Sequence, residues 1–90
     1  MLKVRYSAKF KKDFKIIVKR GYDQSKFQDV IGKLRNREEL PREFCDHPLK
    51  GDYLGHRECH ITPDWLLIYK IEEDILTLSL TRTGSHSDLF

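Results

Sequence analysis

The chain has no long apolar run, no internal repeat and only two cysteines. Nothing in it approaches the roughly 18 apolar residues of a membrane span. The first ten residues, Met1 to Phe10, are charged and lack the apolar centre of a signal peptide, so the cytoplasm is the expected setting. Cys45 and Cys59 form no Cys-x-x-Cys pair, which excludes a zinc knuckle and leaves two reduced thiols, with Cys59 packed inside. No low-complexity tract or linker interrupts the 90 residues, and one domain, 1–90, is expected. Three signatures of chemistry are also missing. There is no Gly-x-x-x-x-Gly-Lys-Ser/Thr phosphate loop, no Gly-x-Ser-x-Gly elbow and no His-Glu-x-x-His metal helix.

Charge, by contrast, is abundant and unevenly placed. Charged residues make up 34% of the chain and hydrophobic ones 39%, which fits a thin core under a heavily solvated surface. The net charge of +3 hides a split, with twelve Lys and Arg against three acids in residues 1–37 and five against eleven in 38–90. The first part is therefore +9 and the second −6. A basic segment of this kind suits a phosphate backbone or an acidic partner, although lysines are also ordinary solvated helix residues.

Periodicity gives the fold class. Residues 2–6 alternate apolar and polar, as in a half-buried strand. Ser7 offers an N-cap, Phe10, Phe14 and Ile17 share one helix face, and Gly21 is a stop. Ser25 with Gln28 has the form of a capping box, followed by a stripe of Phe27, Val30, Ile31 and Leu34. Residues 36–52 read as loop, and strands are expected near 53–61, 65–72 and 75–82, with turns at Pro63-Asp64 and Glu73-Asp74. Residues 83–90 read as a tail. The predicted class is α+β: an N-terminal strand, an antiparallel helical hairpin, then a three-stranded antiparallel meander. The helices cover one sheet face and leave the other for a ligand.

Four histidines stand at 47, 56, 60 and 86. Metal binding by His56 and His60 is not expected, because four residues of strand span roughly 13 Å. Acid–base chemistry fits better, since imidazole gives or takes a proton near neutral pH. RNA brings its own nucleophile in the 2′-hydroxyl, so its cleavage requires only a base, an acid and positive charge on the phosphate. His60, Asp64, His86 and Arg82 supply such groups if the strand ends and the tail converge. Trp65, Leu67, Tyr69 and Ile71 share one strand face and read as core. Simple alternation puts Arg82 beside Leu76, Leu78 and Leu80, facing the helices, unless the strand ends or bulges first. His56 reads as surface.

Three segments resemble a known family. Asp46-His47-Pro48-Leu49-Lys50-Gly51, the run from Arg57-Glu58-Cys59-His60-Ile61 through Pro63-Asp64-Trp65-Leu66-Leu67-Ile68-Tyr69, and the ending Arg82 to Phe90 are similar, in order and spacing, to YafQ-like toxins of the RelE–ParE superfamily. The resemblance implies a metal-independent, cofactor-free endoribonuclease that cuts translated mRNA in the ribosomal A site and is silenced by a protein antitoxin. It implies His47, His60, Asp64 and His86 as the acid–base and orienting set. It also implies Arg82 on the phosphate, Phe90 against a base, and a lesser RNA contact from Lys50. Two rivals remain. One is a toxin of the same fold that inhibits a protein such as DNA gyrase without catalysis, and the other is an RNA-binding module that does not cleave.

Overall fold

The computed structural model describes residues 1–90. The elements run β1 (Lys3–Tyr6), α1 (Ala8–Lys19), α2 (Gln24–Arg35), β2 (His47–Pro48), β3 (Arg57–Thr62), β4 (Trp65–Glu72), β5 (Thr77–Gly84) and α3 (His86–Leu89). Two 3₁₀ turns, Arg42–Phe44 and Gly51–Tyr53, flank β2. The sheet order is β1-β5-β4-β3-β2, with β1 parallel to β5 and every other pair antiparallel. The α+β class, the helical hairpin and the closing meander are as the sequence predicts. The parallel β1–β5 pair and the two-residue β2 were not legible in it.

Local chemistry explains the helices. The Ser7 hydroxyl accepts from the Phe10 N–H at 2.9 Å, satisfying one free donor at the start of α1. Gly21, at φ +75°, takes the left-handed residue just beyond its end. The start of α2 corrects the expectation at Ser25. Asp23 is the cap, accepting from the Ser25 N–H at 3.0 Å and the Ser25 hydroxyl at 2.6 Å. The helix therefore starts two residues earlier than a Ser25 cap would allow, with Ser25 inside its first turn.

Phe10, Ile17, Phe27, Val30, Ile31 and Leu34 face the sheet and meet Cys59, Trp65, Leu67, Tyr69, Leu78 and Leu80 in one core. Phe10, Phe14, Phe27 and Trp65 make a chain of ring contacts with centroids 4.9–6.2 Å apart. Such burial contributes about 1.5–3 kcal/mol per large side chain. Leu76 departs from the predicted leucine face, since it lies in the β4–β5 turn at φ +47° and is exposed. The strands also begin later than expected at 57 and 77, because the Gly51–Tyr53 turn and the Glu73–Leu76 turn occupy the preceding residues.

The second sheet face is not bare. Leu66 and Ile68 point to it and are completely buried outside the main core. The tail is ordered as well, because Ser85 and Asp88 form a reciprocal capping box over the single turn of α3.

Candidate active site on the second sheet face

Register fixes who meets whom on this face. Directly opposed residues of neighbouring strands share a face, so His47, Glu58, Ile68 and Arg82 form one row across β2, β3, β4 and β5. His60, Leu66 and Gly84 form the next. Arg82 joins its row through an irregularity: Tyr69 pairs with Leu80 but Ile68 with Arg82, leaving Thr81 as an extra residue on β5. This bulge reverses the alternation after Leu80 and turns Arg82 away from the leucine face.

Glu58 sits at the centre of the cluster and is only 5% exposed. Its Oε1 lies 3.6 Å from His47 Nε2 and 3.7 Å from His60 Nε2, and its Oε2 is buried without a partner. The carboxylate is thus placed to orient both rings from one buried point. His47 is further fixed through Nδ1, which lies 2.6 Å from the Cys45 carbonyl. A carbonyl only accepts, so Nδ1 carries the proton and Nε2 faces Glu58.

From the tail, His86 brings its ring edge-on to His60, centroids 5.7 Å apart. Asp64, in the β3–β4 turn, has Oδ1 3.9 Å from His86 Nδ1, a long contact between exposed groups. Phe90 is 69% exposed and meets Tyr53 edge-to-face at 6.5 Å. Its amide donates to the His86 carbonyl at 2.8 Å, so the last ring is tied to the turn that carries His86. Four of the expected catalytic residues, His47, His60, Asp64 and His86, therefore lie on this face, with Arg82 and Phe90 at its margin. Lys50 is exposed at the start of the Gly51–Tyr53 turn and makes no ion pair or side-chain hydrogen bond with any of them.

Helix α1 supports the site from the side. Beyond the end of β1 the edge of β5 is open, and Asp13 fills it. Asp13 accepts from Arg82 Nε at 2.7 Å and Nη2 at 3.1 Å, and from the Thr83 N–H at 3.2 Å. Asp13 is the main reason that the Arg82 guanidinium is held above its ordinary pKa, against the cost of partial burial, with Tyr53 adding to the effect. Arg20 grips the tail through a two-point ion pair to Asp88, at 2.6 and 3.0 Å. Gly84 has to be glycine, because a Cβ there would stand 2.9 Å from the Asp88 side chain.

Sequence reasoning passed over Glu58, Tyr53 and Asp13. Glu58 had a readable signal, since it stands two residues from His60 in a strand and must share its face. Asp13 had none, because its partner is 69 residues away. His56, expected at the surface, is half-buried against the Tyr53 ring with Nδ1 buried and unpaired. The Gly51–Tyr53 turn folds back over it.

A helical hairpin on one side of a small mixed sheet, with an imidazole-rich patch on the other, is an arrangement of the RelE-like class. The description "Bacterial toxin of type II toxin-antitoxin system, YafQ" matches residues 2–90, and the chain belongs to the YafQ toxin family. It is 40% identical to the mRNA interferase toxin YafQ of Escherichia coli K12 over 88 residues, 97% of this chain and 94% of that one. In three dimensions it resembles a metal-bound toxin from Helicobacter pylori, with TM-score 0.94, 48% identity and the whole of both chains covered. It also resembles the toxin in the E. coli DinJ–YafQ complex, with TM-score 0.88, 38% identity, 100% of this chain and 99% of that one.

Proposed function

We propose that the chain is an mRNA interferase, the toxin half of a type II toxin–antitoxin pair, and that it cuts RNA by acid–base catalysis on the second sheet face. The observation that carries this reading is the meeting of His60 and His86 beside Glu58, two proton carriers from distant parts of the chain at ring-contact distance. The name of the E. coli relative points the same way.

In this reaction the RNA 2′-oxygen attacks the neighbouring phosphorus and the bond to the 5′-oxygen breaks. The products are a 2′,3′-cyclic phosphate and a free 5′-hydroxyl. His60 and His86 share the two proton transfers, one taking the 2′-hydroxyl proton and the other protonating the leaving oxygen. Glu58 orients His60 and His47, while Asp64 steadies His86. Arg82, anchored through Nε and Nη2 on Asp13, supplies the positive charge for the phosphate. The exposed Phe90 ring offers a stacking surface to a base near the cut. No step requires a metal.

The basic hairpin fits ribosomal RNA, with the mRNA presented in the A site. The silencing partner is an acidic antitoxin that folds on this chain, in keeping with the E. coli DinJ–YafQ complex. The test is cleavage of a translated mRNA on purified ribosomes, with EDTA added after assembly. Wild type is expected to cut with or without the chelator. His60→Ala and His86→Ala are expected to be slower by about 10²–10⁴-fold with the fold retained. Unchanged cutting by both variants overturns the site, and no cutting by wild type favours a non-enzymatic target such as DNA gyrase.

A further inference from the structure

His47 reaches the site from the weakest part of the sheet. Strand β2 has two residues, lies at the edge, and pairs only His47 with Glu58 and Pro48 with Arg57. Proline has no N–H to give to the ladder, so the pairing is poorer still. Outside β2, the nearest backbone bond to β3's approach is from Leu49 N–H to the His56 carbonyl at 2.9 Å. These few bonds on their own leave an edge segment free to shift, and a shift of one residue would turn His47 to the other face.

The residue before it supplies what the ladder lacks. Asp46 alternates with His47, so its carboxylate goes to the opposite, helix-side face. There Oδ1 accepts from the Tyr69 hydroxyl at 2.7 Å and from Arg57 Nε at 3.1 Å. Tyr69 and Arg57 are register partners on β4 and β3, the rigid centre of the sheet. The Tyr69 side chain is buried in the core, and burial, with Asp46 beside it, keeps its hydroxyl protonated well above the ordinary tyrosine range. It therefore donates at every working pH. None of these three groups touches the reacting face.

We infer that Asp46, clamped by Tyr69 and Arg57 behind the sheet, is a positioning residue that holds the His47 imidazole against Glu58. The inference rests on the proposed function, in which His47 belongs to the imidazole cluster that Glu58 orients. The clamp acts through His47 alone, so its loss should cost nothing once His47 is gone.

The experiment is a double-mutant cycle in the ribosome cleavage assay, with His47 ring nitrogens followed by NMR in the same proteins. Asp46→Ala is expected to lower kcat by about 10–10²-fold, the scale of a misplaced catalytic group, with KM near wild type. Tyr69→Phe should fall in between. Asp46→Asn should recover most of the rate, because its amide oxygen still accepts from both partners. In a His47→Ala background, Asp46→Ala should cause no further loss. The His47 nitrogens should lose their fixed Nδ1–H tautomer in Asp46→Ala and keep it in Asp46→Asn. Equal losses in both backgrounds, or a wild-type rate for Asp46→Ala, would overturn the clamp. If His47→Ala itself cuts at the wild-type rate, the reading of His47 fails, and the NMR arm then decides the clamp: unchanged His47 nitrogens in Asp46→Ala reject it. Should Asp46→Ala not fold, Tyr69→Phe carries both arms.

Discussion

A buried carboxylate with one oxygen between two imidazoles and the other without a partner is costly unless it has work to do. Glu58 is that residue, and its value lies in charge. Glu58→Gln keeps the shape but removes the negative charge that faces both rings. The expected result is a loss of about 10²-fold in cleavage with the fold retained, because the rings are no longer held in place. A wild-type rate for Glu58→Gln would assign Glu58 to packing alone. Gly84 carries a different kind of demand, set by space. Gly84→Ala has to push the Asp88 side chain away from a Cβ at 2.9 Å, and with it the turn that bears His86 and Phe90. Cleavage should drop by about 10-fold or more while the thermal midpoint moves by only a few degrees.

At the scale of elements, the site depends on how helix α1 holds the end of β5 and the tail. Asp13 on α1 and Arg20 at its C-cap lie about two turns apart, and each takes hold of a residue near the C-terminus. The Arg20 guanidinium depresses the Asp88 carboxyl well below the usual carboxylate range. A depressed carboxylate stabilises the fold in full above its unfolded value of about 3.9 and loses that contribution as pH falls below it. The stability gap between wild type and Arg20→Ala should therefore be widest near neutral pH and close as pH drops below about 4. Denaturant melts at several pH values would measure it, and a gap independent of pH would place the stabilisation elsewhere. The same element carries the bulge at Thr81. With Thr81 paired in regular alternation instead of bulged, Arg82 would share the face of Leu80 and point to the core.

Across the whole molecule, most of the basic charge and the imidazole cluster lie on opposite sides of the sheet. The lysines of α1 and α2 are on the helix side, while His47 and His60 point to the far face. Lys3 and Arg5 of β1 share that far face by alternation with Leu2 and Val4. Binding to a phosphate-rich partner should then weaken steeply with salt, and each lysine of α1 that contacts a phosphate should reduce the log–log slope by about one when replaced by alanine. Equilibrium binding to ribosomes across a salt series would test this, and a slope unaffected by Lys11→Ala, Lys15→Ala and Lys19→Ala together would move the contact off that helix. No helix here is long and apolar enough to cross a membrane.

The elements and the candidate residues are legible along the chain. Apolar spacing marked both helices and the three closing strands, and the family-like segments marked His47, His60, Asp64, His86, Arg82 and Phe90, because periodicity and motif are properties of neighbours along the chain. Tertiary structure alone decided the rest. It paired β1 with β5 in parallel and turned Arg82 outward through one bulged residue. It put Glu58 between two histidines and set Asp13 and Arg20 against the tail. These contacts join residues far apart in the chain, and no local preference encodes a partner that only folding brings within reach.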